Sequence, residues 1–271
     1  MNLMGCQARP WLQTLGRDEL AHRLPEVMAH IAELGFGGFE TNVNVLPLDE
    51  PQAFQEATAT ANGLNLVGAH TGGRWWDPQS TATVASVVTL AKQLPALGCQ
   101  RLVVSMAPPP VESANADLKH ATRTIDQLGR ACREEAGVSV VFHNHAAELA
   151  GDALFIRALV DTCAPGNVAL GPDLGWVAHA GVNVVEFVQR FGSRIDYLHV
   201  RDVTQYGTEG SFIEIGRGVL DYAAILAALR AHRYRGWLVA ESEFGSKWSG
   251  DAEPRETASL QLAGLRLASG A

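Results

Sequence analysis

Side chains that can move protons or bind cations follow five short apolar segments of this sequence. They occur in AHTGG at 69–73, HNHAAE at 143–148, PDLGW at 172–176, HVRD at 199–202 and AESE at 240–243. Such groups are costly to bury unless they are paired or ligated. Carboxylates that converge on one place repel one another, and a divalent cation removes that repulsion. Two or three carboxylates with one imidazole suit Mn²⁺, Mg²⁺, Co²⁺ or Zn²⁺.

The same residues also allow an arrangement without a metal. His199 and Asp202 could form a salt bridge at the rim of the fold. His143 or His145 could be a hydrogen-bonded histidine of the core. From residue types and spacing alone, both alternatives remain open.

Eight apolar runs recur along the chain, and amphipathic segments separate them. Short continuous apolar runs are typical of strands buried on both faces of a parallel sheet. Together with the chain length of 271 residues, this alternation predicts an α/β fold: one (β/α)₈ TIM barrel that comprises residues 1–271 as a single domain. The predicted strands are Leu3–Cys6, Phe36–Glu40, Leu64–Ala69, Arg101–Met106, Val138–Phe142, Asn167–Gly171, Ile195–Val200 and Trp237–Ala240.

The predicted barrel brings the polar segments together, because the carboxyl ends of all eight strands meet at one mouth. Neither GxGxxG after the first strand nor GxxxxGK[ST] occurs, which argues against the common nucleotide-binding folds. The spacing of apolar residues from Leu20 to Leu34 predicts a helix that Gly35 ends. Pro25 within it predicts a kink or a later start.

Composition excludes several classes of protein. Hydrophobic residues make up 47% of the chain and charged residues 18%, which is typical of a folded core. The net charge of −8 and the lack of a basic run disfavour nucleic-acid and anionic-membrane partners. No segment approaches the roughly 20 apolar residues of a membrane span, and the N-terminus does not resemble a signal peptide. Four cysteines without a CxxC pair indicate reduced thiols in a cytoplasmic protein.

Five motifs, in this order, resemble the xylose-isomerase-like TIM barrel family. Sugar phosphate isomerases/epimerases and inosose dehydratase belong to this family, and the HNHxxE pattern points to a subgroup related to inosose dehydratase. The resemblance is close in the C-terminal half and is limited to the strand–helix rhythm in the N-terminal half. The motifs are VVFHNHAAE at 140–148, LGPDLGWVAHAG at 170–181, YLHVRD at 197–202, EIGRGVLDYAAI at 214–225 and GWLVAESE at 236–243.

The resemblance implies a set of metal ligands from strands five to eight. Asp173, His199 and Glu241 match three ligands of the family. Many relatives end strand five with a glutamate ligand, where this chain has His143. We therefore expect Glu148 of the HNHxxE pattern to be the fourth ligand, with His143 as the alternative. The expected ion is Mn²⁺, and Mg²⁺, Co²⁺ or Zn²⁺ are the other possibilities.

Other residues are expected to handle protons or substrate. An imidazole titrates near neutral pH, so His145 is the predicted acid or base, and Glu241 is expected to exchange protons as well. Arg201 is predicted to pair with a neighbouring carboxylate rather than with substrate. The residues predicted to contact substrate are His70, His143, Trp176 and Arg217. For each of them the alternative is a role in packing or a position on the surface.

The implied activity is metal-dependent isomerisation or epimerisation of a keto-sugar or polyol through an enediolate. The first alternative is a dehydratase acting on an inosose or 3-keto-sugar, because it shares the first proton abstraction. The second is a barrel that binds a sugar without catalysis. The expected partner is a small sugar or polyol, and a homo-oligomer is possible.

Overall fold

In the computed structural model, which describes residues 3–107, 118–208, 211–243 and 253–270, parallel strands form the centre of the fold. Eight of the strands form one sheet, and two short strands pair separately as an antiparallel hairpin. In chain order they are β1 (Leu3–Gln7), β2 (Gly38–Asn42), β3 (Asn65–Gly73), β4 (Arg101–Met106), β5 (Ser139–His143), β6 (Val168–Leu170), β7 (Leu198–Val200), β8 (Asp202–Val203), β9 (Phe212–Ile213) and β10 (Trp237–Ala240).

The sheet closes on itself. Its hydrogen-bonded order is β6-β5-β4-β3-β2-β1-β10-β7, and all seven neighbouring pairs are parallel. The outer strands β6 and β7 meet through two parallel bridges, Leu170–Ile195 and Asp173–His199. The second bridge includes a hydrogen bond of 3.0 Å from the His199 backbone N–H to the Pro172 carbonyl. The expected (β/α)₈ barrel is therefore confirmed.

Helices alternate with the barrel strands, except at the hairpin. Among the described residues, no helix combines the length and hydropathy that crossing a membrane requires. The helices are α1 (Arg9–Leu15), α2 (Arg17–His22), α3 (Leu24–Leu34), α4 (Pro51–Thr60), α5 (Ser80–Ala91), α6 (Leu118–Ala136), α7 (Ala150–Thr162), α8 (Leu174–His179), α9 (Val184–Phe191), α10 (Tyr222–Ala231) and α11 (Pro254–Ser269).

The predicted helix from Leu20 to Leu34 is interrupted at Arg23. The first part, α2, ends at His22, and α3 begins at Leu24 with Pro25 in its first turn. Proline is tolerated there because the first N–H groups of a helix have no partner within the helix. The later start that Pro25 predicted is confirmed.

Two apolar layers stabilise the barrel. The larger lies between the strands and the surrounding helices. The smaller fills the interior of the barrel. Its buried members are Val67, Val103, Val141, Tyr197 and Val239.

Candidate metal centre

The side chains of the candidate centre lie directly above the interior apolar layer. Successive residues of a strand point to opposite faces, so the residue two positions further along a strand also faces the interior. On four strands an interior apolar residue is followed, two positions closer to the mouth, by a polar residue. The pairs are Val103–Ser105, Val141–His143, Tyr197–His199 and Val239–Glu241.

Four buried side chains converge at the mouth: those of His143, Asp173, His199 and Glu241. One potential ligand atom from each lies within 4.8 Å of the others, so these residues could hold a metal ion. Three of them belong to the expected ligand set. The fourth residue of the group is His143, the alternative ligand from strand five, and Glu148 is not part of it.

Glu148 lies outside this group because the chain turns after β5. Residues Ala146–Leu149 form a 3₁₀ helix, and the Glu148 carboxylate accepts a hydrogen bond of 2.7 Å from the His145 backbone N–H. Burial raises the pKa of Glu148 to about 7. The sequence predicted a ligand at this position, and in the structure the carboxylate caps a helical turn instead.

The donor atoms of the group fit a cation. His143 Nδ1, His199 Nδ1 and Glu241 Oε2 are buried and have no hydrogen-bond partner among the described residues. His199 Nδ1 and Glu241 Oε2 lie 2.6 Å apart and form an ion pair when the ring is protonated, whereas His143 Nδ1 has no such contact among the described residues. Buried polar atoms without partners are rare in folded proteins. Their convergence would suit a positive ion between them.

Glu40, in the middle of β2, contacts His199 and orients it. Its Oε2 atom lies 2.7 Å from His199 Nε2 and accepts a hydrogen bond of 2.7 Å from the Tyr197 hydroxyl. A carboxylate on one ring nitrogen orients the other nitrogen toward a metal. Glu40 was not among the predicted site residues, although it ends the predicted apolar strand Phe36–Glu40.

The protonation of the centre follows from burial and its neighbours. Burial alone would lower the pKa of His199, but Glu40 and Glu241 outweigh it and raise that pKa well above its ordinary value. Although burial alone would raise the pKa of Glu40, His199 and His70 lower it to about 2. Burial, followed by the neighbouring His199, lowers the pKa of His143 well below its ordinary value. His143 is therefore neutral, as a metal ligand must be.

The buried charges do not balance without a further cation. The carboxylates of Glu40, Asp173 and Glu241 share the centre with one buried guanidinium, that of Arg201. With His199 protonated, three negative and two positive charges leave −1. Once the ring is neutral, as a metal ligand must be, the remainder is −2, which one divalent cation would neutralise. The prediction that Arg201 pairs with a carboxylate is confirmed by its contact with Asp173.

Asp202 shapes a loop and does not pair with His199. Its carboxylate accepts four backbone N–H hydrogen bonds of 2.9–3.1 Å, which fold residues 214–220 around it. A side chain at Gly218 would collide with this carboxylate, since an added Cβ would lie 2.3 Å from Oδ1. Arg217, in the same loop, is 62% exposed and pairs with Glu214 at 3.4 Å. The structure does not bring Arg217 into the metal group.

His70 borders the group. Its Nε2 atom lies 3.1 Å from Ser105 Oγ, and its Nδ1 atom lies 3.5 Å from Glu40 Oε1. The centre of its ring is 5.2 Å from that of His143. His70 is partly exposed, so its position is compatible with the predicted contact to substrate.

His145 and Trp176 form a second aromatic cluster beside the metal group. The His145 ring lies 5.0 Å from His143 and 5.6 Å from Trp176, and it accepts a hydrogen bond from the Glu148 backbone N–H. Trp176 is only 5% exposed, because Phe212 packs against it at 5.0 Å. The predicted sugar platform is therefore a largely buried ring in this structure.

Comparisons with known proteins agree with this architecture. Among curated proteins, inosose dehydratase from Geobacillus kaustophilus (strain HTA426) is 31% identical over 136 residues, which cover 44% of each chain. The chain thus matches less than half the length of this relative. Among solved structures, a sugar phosphate isomerase/epimerase from Parabacteroides distasonis superposes with a TM-score of 0.76 at 16% identity and 97% coverage of both chains.

A second solved structure, 3-keto-D-glucoside 4-epimerase from E. coli, has a TM-score of 0.72 at 19% identity and covers 98% of this chain and 100% of its own. At these identities the likeness shows the fold. The model of the family described as "Xylose isomerase-like TIM barrel" matches residues 28–265. The chain therefore belongs to the xylose isomerase-like TIM barrel family.

Proposed function

We propose that the protein is a divalent-metal-dependent isomerase or epimerase that acts on a keto-sugar or polyol. The observation that carries this proposal is the convergence of buried potential ligand atoms from His143, Asp173, His199 and Glu241 within 4.8 Å of one another. A protein that binds a sugar without catalysis has no need for such a buried and costly group.

These four residues would hold the ion. The cation would polarise a substrate carbonyl and stabilise the enediolate formed by loss of the neighbouring proton. Glu40 would keep Nδ1 of His199 directed at the site through its contact with Nε2. The side chains around the mouth would exclude water from the reacting carbons.

His145 is proposed to donate a proton or a hydrogen bond to substrate. One of its ring nitrogens already accepts the Glu148 backbone N–H. In the neutral ring the proton therefore lies on the other nitrogen, which is a donor. We therefore propose His145 as the proton donor. Glu241 is the candidate for exchanging the carbon-bound proton.

The alternative is a dehydratase acting on an inosose or 3-keto-sugar. One observation favours it: the 31% identity to an inosose dehydratase over 44% of each chain. The donor role proposed for His145 would also suit protonation of a departing hydroxyl. Both reactions begin with the same abstraction of a carbon-bound proton. They differ afterwards, because a proton is returned to carbon in the isomerase or epimerase and is given to a departing hydroxyl in the dehydratase.

One experiment separates these activities. Metal-stripped full-length protein is supplied with Mn²⁺ and a panel of keto-sugars and inososes in D₂O, and the reactions are followed by NMR. An isomerase or epimerase gives a rearranged product labelled with deuterium, and a dehydratase gives an unsaturated or deoxygenated product. The control is Asp173→Asn under the same conditions. Metal binding without exchange or product formation on any compound of the panel would contradict both proposed activities.

The proposal extends to the identity of the ion, the cellular location and the substrate contacts. We propose Mn²⁺ as the ion, because mixed carboxylate and imidazole ligands suit it. The four buried cysteines are unpaired, which supports a cytoplasmic location. We propose His70 as a substrate contact, whereas roles for Trp176 and Arg217 stay predictions.

A further inference from the structure

Arg201 is buried beneath the mouth among acidic side chains. Its guanidinium contacts the metal-site carboxylate of Asp173 through both Nε and Nη2. It also lies 3.7 Å from Glu241 and 3.7 Å from Glu243. Phe212 of the hairpin covers its face, with 4.0 Å from the guanidinium carbon to the ring centre.

These contacts occupy most of the hydrogen-bonding capacity of Asp173. An ionised carboxylate has about four lone-pair positions, two on each oxygen. Oδ1 accepts one hydrogen bond from the Trp176 backbone N–H at 2.9 Å and one from Arg201 Nε at 3.2 Å. Oδ2 accepts one from Arg201 Nη2. A single position on Oδ2 remains for a cation.

We propose that Arg201 is a positioning residue that restricts Asp173 to binding the metal through Oδ2 alone. This inference rests on the metal site of the proposed function. Guanidinium groups bind carboxylates with two parallel hydrogen bonds and fix their orientation. Arg201 therefore sets both the orientation of Asp173 and the number of oxygens that it offers to the ion.

The sequence provides space for this arrangement at Gly175. A Cβ added to Gly175 would lie 2.5 Å from Arg201 Cγ and 2.9 Å from Cδ. Gly175 lies in α8, where alanine fits the backbone. The change Gly175→Ala would thus displace Arg201 while keeping its charge and the helix.

The first test is Arg201→Lys, probed with Co²⁺ and Mn²⁺ alone. Lysine keeps the positive charge but offers one donor point instead of a planar fork. Asp173 then becomes able to bind through both oxygens, which raises the coordination number. We expect metal affinity to fall about 10–100-fold, the usual effect of losing an outer-shell partner. The Co²⁺ absorption bands should weaken and shift, because ions of higher coordination number absorb less.

The second test, Gly175→Ala, covers the possibility that Arg201→Lys does not fold. We expect the same spectral change, with a loss of affinity nearer to tenfold. The matched control is Arg101→Lys, which alters an arginine stacked on Tyr197 at the other end of the barrel. Its Co²⁺ spectrum and affinity should equal those of the wild type.

The results distinguish this inference from the function on which it rests. If the wild type binds no ion, the proposed metal site fails. If the wild type binds one ion, and folded Arg201→Lys or Gly175→Ala keeps its spectrum and affinity, then Arg201 has only a structural role and the inference is overturned.

Discussion

Each end of the barrel holds an arginine, and the surroundings of the two differ. At the amino-terminal end, Arg101 stacks on Tyr197 at 5.0 Å and pairs with Asp196 at 2.9 Å. Asp196 is 54% exposed, so that pair is in contact with water. At the mouth, Arg201 is fully buried and stacks on Phe212.

The charge balance separates the two ends. At the amino-terminal end one guanidinium meets one carboxylate, and its remaining hydrogen bond of 3.1 Å goes to the Val67 carbonyl. At the mouth the Arg201 guanidinium lies among Asp173, Glu241 and Glu243, of which Glu243 also pairs with Arg9 at 2.9 Å. An excess of buried negative charge is stable only if another cation balances it. We therefore expect the amino-terminal end to serve stability and the mouth to serve the proposed chemistry, as is usual for this barrel.

The largest effect at the mouth is expected from His145→Ala. Turnover should fall roughly 10²–10⁴-fold, the usual contribution of a positioned acid or base. Metal content should stay near that of the wild type, since His145 is outside the ligand group. Steady-state kinetics and elemental analysis measure the two quantities, and His232→Ala, at a surface position, is the control. A loss of metal would make His145 a ligand, and unchanged turnover would remove it from catalysis.

The choice between His143 and Glu148 is tested by metal affinity. His143→Ala should weaken Mn²⁺ binding more than the roughly 10–100-fold typical of outer-shell partners, because a ligand is lost. Glu148→Gln should change affinity only a few-fold, because its carboxylate caps the His145 backbone. A competition assay with a chelating dye measures both. The opposite order would restore Glu148 as the ligand from strand five.

Glu40→Gln should act on the metal without removing a ligand. Gln can still accept from Tyr197 but leaves His199 without its carboxylate, so affinity should fall about 10–100-fold. Thermal unfolding of the metal-free variant shows whether the fold is kept. Wild-type affinity in a folded Glu40→Gln variant would mean that Glu40 does not orient His199.

Metal binding should depend on pH. In the metal-free protein the pKa of His199 is raised, since Glu40 and Glu241 outweigh burial, and its ring is protonated at neutral pH. The ion must displace that proton, so affinity should rise about tenfold per pH unit below the raised pKa. The stabilisation from this group is complete below the ordinary pKa of roughly 6.5 and is lost as pH rises through the folded value.

Calorimetric titration in buffers of different ionisation enthalpy counts the protons released. We expect about one per ion near pH 7. No release would contradict a protonated His199 in the metal-free protein.

The smallest effect on metal is expected from the opposite end of the barrel. Arg101→Ala should lower the free energy of unfolding by about 0.5–3 kcal/mol, because its stacking and ion pair are lost. Mn²⁺ affinity should stay within a few-fold of the wild type. Chemical denaturation and dye competition measure the two. If Arg101→Ala keeps its stability but loses metal, the amino-terminal end is not merely stabilising, and the proposed difference between the two ends is wrong.

The architecture could be predicted because apolar runs and helical periodicity are local signals. The strands Arg101–Met106 and Trp237–Ala240 have the predicted bounds. Strand β3 extends past the predicted Ala69 to Gly73, because it continues to pair with β4 as far as Met106. The β8–β9 hairpin was not predicted, since two-residue strands carry too little pattern.

The site was predicted only in part, for a physical reason. Asp173, His199 and Glu241 directly follow or end apolar runs, so strand direction alone brings them together. Glu148 follows a turn whose geometry depends on its own hydrogen bond to His145, which the sequence does not reveal. Glu40 acts across the barrel on His199, 159 residues further along the chain. Such partners are fixed by barrel closure and not by spacing.

Metal binding at the mouth is tested most directly by an equilibrium titration of the metal-stripped protein with Mn²⁺. The Asp173→Asn variant is titrated in parallel. The central claim is that the mouth of the barrel holds one divalent cation. We predict saturation at one ion per chain for the wild type. In the Asp173→Asn variant, which should remain folded, we predict that binding is weakened by more than a hundredfold. Saturable binding that is the same in both proteins, or none in the wild type, would contradict the claim.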